Sequence, residues 1–262
     1  MKQILTILLV ALFSLQVSAT GVIVLEGHYQ GKNLYVQNPF AGSGVGFCTF
    51  EVTINGEVTT DEVNSSAFEI DFANFQLKVG DPVIVKIKHK DDCKPKVLNP
   101  EVLKPKSTFE IVSMDISSDG KFSWTTKGET GKLAFIVEQF RWNKWIKVGE
   151  VDGEGTGVEN SYTFQITPHS GENKFRVKQV DYSGKPRYSQ ASRYVSTVGE
   201  VTFSPIKAKT EVIFTGETLF EVYDSYGNIV KKGFGEKVEV SNLKKGIYYL
   251  NYDNKTDTFM KK

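Results

Sequence analysis

Short runs in which apolar and polar residues alternate recur along the chain, and turn residues separate them. Residues 47–54 read FCTFEVTI, followed by Asn55-Gly56 and then EVTT. Asn-Gly between two such runs is a strong hairpin signal, because both central positions of the tight turn need positive φ. Residues 83–87 (VIVKI) follow a Gly80-Asp81-Pro82 turn, and residues 111–116, 121–125, 133–139 and 144–148 continue the alternation. A period of two turns one face of each run toward a core and the other toward water. No stretch of about 12 residues shows capped 3.6-residue periodicity. The pattern predicts an all-β chain built of tandem β-sandwich modules.

Residues 92–107 carry Pro95, Pro100 and Pro105. Proline removes a ladder donor, so this stretch is expected to be a linker or late loop. A second boundary falls near residues 196–201, where one strand pattern ends and another begins. Three β-domains follow: 20–106, 107–198 and 199–262. The last is small for independent stability and is expected to lean on the middle one.

Residues 4–17 are mostly apolar, Lys2 is the sole charge before Thr20, and Val17-Ser18-Ala19 offers a small-residue cleavage site. Residues 1–19 therefore read as a secretory signal peptide. The apolar core is shorter than the roughly 20 residues a spanning helix needs. No cysteine follows the site to carry a lipid anchor, and no later apolar run approaches spanning length, so no transmembrane segment is expected. The chain holds 32 Lys and Arg against 31 Asp and Glu, and loss of Lys2 makes the two equal. That balance speaks against nucleic acid as a partner, which demands a basic excess.

Cys48 and Cys93 are the sole cysteines. In an exported chain an even count points to one disulfide. His28, His89 and His169 are the sole histidines, with no Cys-x-x-Cys or His-x-x-x-His spacing, so neither a metal site nor a cofactor is expected.

Lys121-Phe-Ser-Trp124, the run FIVEQFRWNKWIKVGEV over 135–151, and KFRVKQVDYSGK over 174–185 with Tyr188-Ser189 stand in a telling order. This region resembles a fibronectin type III sandwich. The resemblance implies that Trp124 fills the core from the second strand. It also places the family's corner tyrosine at Asn173, so that capping bond is absent or replaced. Phe175 and Val177 are expected to point inward and Arg176 and Lys178 to face water, with Ser183-Gly184 reversing the chain. Trp142 and Trp145 lie three apart across a turn. They offer an exposed pair for stacking on a sugar or, the preferred reading, core and turn packing.

Beyond this region stand LFEVYDSYGNIV (219–230), VEVSNL (238–243), KGIYYL (245–250) and the terminal FMKK. This tail resembles the type A C-terminal sorting domain of cargo for the type IX secretion system of Bacteroidota. In that family a strand ends in an acidic, Gly-containing turn, a later leucine precedes a Gly-x-Tyr strand, and the chain closes on lysines. The matching residues are Tyr223, Asp224, Gly227, Leu243, Gly246, Tyr248, Lys261 and Lys262. The family's opening Pro-Asn-Pro element is replaced here by FSPIK over 203–207. The resemblance implies export to the cell surface or medium through outer-membrane machinery that reads the folded tail. The alternative is a periplasmic or outer-membrane-associated structural subunit that keeps its tail. For Lys261 and Lys262 the reading is a charge contribution or a solvated terminus.

Remaining chemistry is sparse. Gly42-Ser-Gly-Val-Gly46 lacks the following helix that a phosphate loop needs, and reads as a flexible β-loop. Residues 86–93 (KIKHKDDC) hold His89 but no Gly-x-Ser-x-Gly elbow. Val85 and Ile87 against Lys86 and Lys88 read as a strand with one solvated face, and that lysine stripe suits an acidic surface or an anionic sugar. Asp61-Glu62, Glu69, Asp71 and Asp91-Asp92 supply carboxylates, and Asn64-Ser-Ser66 and Asn254-Lys-Thr256 fit the glycosylation acceptor pattern. An enzyme would need His89, Asp91 and Tyr35 to share a pocket. The expected function is non-enzymatic: an exported binding or adhesion-type protein whose N-terminal module meets a cell-surface protein or glycan.

Overall fold

The computed structural model describes residues 20–262. The signal-peptide reading of residues 1–19 lies outside the described residues. The fold is all-β, as the alternation predicts, and the chain divides into two compact units.

The first unit runs to residue 78 and resumes over 82–103. It contains β1 (Thr20–His28), β2 (Leu34–Gln37), β3 (Thr49–Ile54), β4 (Glu57–Val58), β5 (Ala67–Ile70), β6 (Pro82–Lys90) and β7 (Lys96–Val97). One sheet has the order β1-β6-β3-β4 and the other β5-β2-β7. Their inward residues, among them Leu34, Val36, Val52, Ile54, Ile70, Val85 and Ile87, make one apolar core. The β3–β4 turn falls on Asn55-Gly56, both at positive φ. Cys48 and Cys93 form a disulfide with Cα atoms 5.8 Å apart.

The proline-rich stretch 92–107 is not wholly a linker. Lys96 and Val97 pair with Gln37 and Val36, and residues 100–103 form a 3₁₀ turn that buries Leu103 in the core. A two-residue edge strand loses nothing to Pro95, since the missing N–H precedes the pairing.

The second unit comprises residues 79–81 and 104–262 and holds two separate apolar clusters. Its first part contains β8 (Glu110–Ile116), β9 (Lys121–Lys127), β10 (Phe135–Arg141), β11 (Lys144–Val151), β12 (Asn160–Gln165), β13 (Gly171–Val180), β14 (Pro186–Tyr188) and β15 (Ser192–Ser196). A three-stranded sheet, β12-β9-β8, faces a sheet of order β11-β10-β13-β14, with β15 also on β13. Three strands against a larger sheet is the arrangement of immunoglobulin-related sandwiches. Trp124 is buried between the sheets, edge-on to Phe135 and stacked on Tyr162.

The corner bond at position 173 is replaced. Asn173 is fully buried; its amide nitrogen donates to the carbonyls of His169 and Gly171, and its oxygen accepts from the His169 N–H and Gln139. A short amide beside the backbone thus does the capping that a tyrosine hydroxyl does from farther away. Arg176 and Lys178 do not simply face water. Both bond Glu138, at 2.7 and 2.6 Å, and the Arg176 guanidinium lies between the rings of Trp145 and Tyr188. A buried carboxylate on the neighbouring strand draws the two cations inward.

The last part contains β16 (Phe203–Ser204), β17 (Lys207–Ala208), β18 (Glu211–Tyr223), β19 (Ile229–Glu239), β20 (Gly246–Tyr252) and β21 (Lys255–Lys261). The order is β16-β18-β20-β21-β17, with β19 on β18. Val212, Phe214, Phe220, Val222, Tyr248, Leu250, Tyr252 and Phe259 contribute to its own core.

Candidate functional site: the C-terminal tail and its junction

The tail residues singled out in the sequence build the tail rather than one pocket. Asp224 ends the pairing of β18 with β19 and organises the turn after it. Its Oδ1 accepts the N–H groups of Tyr226 and Asn228 at 2.9 Å, and its Oδ2 accepts the Asn228 amide at 3.0 Å. These bonds hold its pKa below the ordinary aspartate value, with the Asn228 side chain as the leading cause. Gly227 takes φ 82°, a conformation that favours glycine. Leu243 packs against the tail core, and Gly246 opens β20 opposite Lys261. Tyr248 points inward, stacks on Phe259 and donates to the Lys244 carbonyl at 2.9 Å.

The terminus is not a solvated end. β21 runs between β20 and the parallel β17, and the Lys262 N–H donates to the Ala208 carbonyl at 3.0 Å. Lys261 is 8% exposed, and its ammonium donates to the Lys262 carbonyl at 2.6 Å. Lys261 stands two residues after Phe259 on the buried face of β21, so its stem is covered while its ammonium reaches the chain end. Lys262 alone keeps the solvated character.

The tail leans on the preceding sandwich through a polar junction at the β10–β11 turn. Trp142 and Asn143 form that turn, both at positive φ. A bulky residue there is a backbone outlier, and the turn holds Trp142 where its Nε1 donates to the Tyr252 carbonyl at 3.4 Å. Beside it Lys144 donates to Glu221 at 2.6 Å and to the Tyr223 hydroxyl at 2.7 Å. Burial works against the Lys144 charge, but those two bonds outweigh it and raise its pKa. Burial likewise opposes the Glu221 charge, and the bonds from Lys144 and Tyr223 outweigh it and lower its pKa.

Arg141 is buried and donates to the carbonyls of Thr167 and Asp253 and to the Gln139 amide oxygen. Burial brings its pKa down to about 10, opposed by the nearby Asp253 charge. Asp253 accepts from the Ser170 N–H and hydroxyl and from the Val201 N–H. Sequence reasoning missed Arg141, Ser170, Glu221 and Asp253. Their signal was faint: Arg141 and Asp253 stand at the ends of apolar runs, Glu221 lies inside one, and Ser170 carries no pattern.

The other candidates disperse. Trp142 serves the junction while Trp145 packs on Phe140 and Arg176, so they do not form a platform. Lys86 is exposed on the outer face of β6, and Lys88 pairs with Glu51 at 2.7 Å. His89 is buried, with its ring over Gly21 and its Nδ1 at the Lys90 carbonyl. A shallow cleft lined by Tyr29, Asn33, Tyr35, Glu69, Asp71 and Asn99 includes neither His89 nor Asp91. In it Asn33 bonds both carboxylates, and the Glu69 charge raises the pKa of Tyr35. The 42–46 loop is closed by the Ala41 N–H on the Gly46 carbonyl and by the Ser43 N–H on Asp92. Among the described residues no cluster suited to a metal is present, and no helix is long and apolar enough to cross a membrane.

Residues 204–262 match the family described as the secretion system C-terminal sorting domain. No curated protein matches the chain. Among solved structures, a tetra-tandem repeat from the extending region of a large adhesion protein is 12% identical, covering 92% of this chain and 73% of that one at a TM-score of 0.31. The FN1–FN3 domains of chicken CNTN1 are 10% identical over 91% and 98% of the two chains, at 0.25. Dimeric latent PorU from Porphyromonas gingivalis is 12% identical over 92% and 31%, at 0.21. Residues 204–262 are thus a C-terminal sorting domain, and the chain carries an address for export toward the cell surface or medium.

Proposed function

We propose that this is an exported, non-enzymatic binding or adhesion-type protein, delivered to the cell surface or medium by type IX machinery that reads its C-terminal domain. The observation that carries the reading is the sorting-domain match over residues 204–262. Its support from geometry is that Tyr223, Asp224, Gly227, Leu243, Gly246 and Tyr248 all serve one folded tail. We divide the chain into modules at 20–106, 107–198 and 199–262, with one apolar cluster each in support. The non-enzymatic reading is supported by the separation of His89 and Asp91 from the Tyr35 cleft. Binding falls to the first two modules, with a cell-surface protein or glycan as partner. In a host with this secretion system, removing residues 204–262 is expected to leave the chain inside the outer membrane. Export of the truncated chain at the full-length level refutes the reading.

A second reading has its own observation. The junction buries Arg141 and Asp253 and ties Ser170 and Lys144 to the tail, as expected of a structural subunit that keeps its tail in the periplasm or at the outer membrane. Mass spectrometry separates the two. Absence of residues 246–262 from the mature surface protein supports a cleaved address; their presence in the envelope fraction supports the retained subunit.

A further inference from the structure

One face of the tail sheet is covered at one end and open at the other. Directly opposed residues of paired strands share a face. Glu221, Asn251 and Thr256 therefore form one row across β18, β20 and β21, and Tyr223, Tyr249 and Thr258 form the next. Ile247, Met260 and Lys207 form the third, across β20, β21 and β17. The first row meets the sandwich: Lys144 bonds Glu221 there, and Asn251 is 8% exposed. Farther along, Tyr249 is 48% exposed, Ile247 57% and Met260 42%.

Such residues alternate with Tyr248, Leu250 and Phe259, which the tail core already uses. The open rows are thus not needed for folding, yet Tyr249, Ile247 and Met260 keep apolar surface exposed in them. Lys207 ends the third row, and the exposed Lys245 and Lys262 lie two residues along the chain from Ile247 and Met260. Clustered apolar side chains with a charged rim have the composition of a docking surface.

We infer that the face presented by Ile247, Tyr249 and Met260 docks the tail onto a protein component of the secretion machinery, one with an apolar centre and an acidic rim. The inference rests on the sorting reading of residues 204–262 and names the surface that is read. Continuity with the junction selects this face: the sandwich occupies one end of it and leaves the other free. The lysine rim sets the sign of the partner's charge.

The test is export of the full chain carrying Ile247→Lys or Met260→Lys, with Ile213→Lys as the control at the other end of β18. The first two are expected to lower the amount outside the cell at least about tenfold, as loss of an interface anchor does, and the control to leave it unchanged. Near-ultraviolet circular dichroism of each purified chain reports folding. Where a lysine variant fails to fold, Ile247→Ser and Met260→Ser replace it. Folded variants exported at the wild-type level overturn the surface, provided that deletion of residues 204–262 stops export. Export that survives the deletion overturns the sorting reading itself. A photo-crosslinker at position 249 is expected to label a component of the machinery. Overturn also follows if it labels none while the wild-type chain, but not the serine variants, sediments with phosphatidylethanolamine–phosphatidylglycerol vesicles.

Discussion

Asn173 shows what one side chain does when a family feature is missing. Its amide meets four polar groups at a buried corner. Asn173→Ala is expected to destabilise the second unit by about 2 kcal/mol, since the stranded carbonyls and N–H lose their partner without gaining water. Urea denaturation of the full chain measures it. His169 offers a pH signature nearby. Burial is the leading cause that holds its pKa below the ordinary histidine value, with the Arg141 charge adding to it. A depressed histidine pKa means that the unfolded chain binds the proton first. Its contribution to stability is therefore full above about pH 6.5 and is lost as pH falls toward the folded pKa. The carboxylates with lowered pKa values in this unit, among them Glu138 and Glu221, lose their contributions at lower pH. Thermal melts between pH 7 and pH 5 are expected to show falling stability, and His169→Gln to flatten that slope. That Asn173 departs from the corner tyrosine was legible in the sequence. The groups that would use its amide were not, because Gln139 lies 34 positions away along the chain.

Strands followed from alternation wherever a run was long enough to show its period. β6, β9, β10 and β13 lie where the pattern put them, because a half-buried strand must repeat every two residues. Two-residue strands such as β4, β7, β16 and β17 carry no period, and their pairing depends on a partner strand being in reach. The cysteines needed no period, since an exported chain with two of them has one pairing. The Cys48–Cys93 bridge closes a 45-residue separation. Its removal in a Cys48→Ser/Cys93→Ser chain is expected to cost the first unit roughly 3–4 kcal/mol by loop-closure entropy. The midpoint of the first unfolding transition in denaturant reads that loss. The β10–β11 turn runs the other way: Trp142-Asn143 occupies positive φ without glycine. Replacing the pair with Asn-Gly is expected to relieve the turn, which favours those residues, while weakening attachment of the tail. Hydrogen exchange is expected to show the first effect as slower exchange in β10 and β11 and the second as faster exchange in β20.

At the scale of the molecule, the junction decides whether the tail behaves as an independent module. Its bonds are polar and its two sides keep separate cores, so undocking exposes charge and hydrogen-bonding groups rather than apolar core. Lys144→Met is expected to raise the rate of proteolysis in the exposed segment 197–200 several-fold, because it leaves the Glu221 carboxylate without its cation. Mass spectrometry of timed digests gives the rate. The sequence alone determined the all-β class, the disulfide, and the resemblance of the tail to a sorting domain. Each rests on local signals: a period of two, a count of two in an exported chain, and a spaced motif. It located the candidate residues but not their company. Lys261 went from a terminal charge to a buried residue of β21, and Trp142, expected to pack in the core or a turn or to offer a ligand contact, sits in a turn and bonds the tail. Tertiary structure alone decided those roles. Burial and hydrogen bonding join residues far apart in the chain, as Arg141 meets Asp253 across 112 positions, and no local pattern encodes which distant groups will meet.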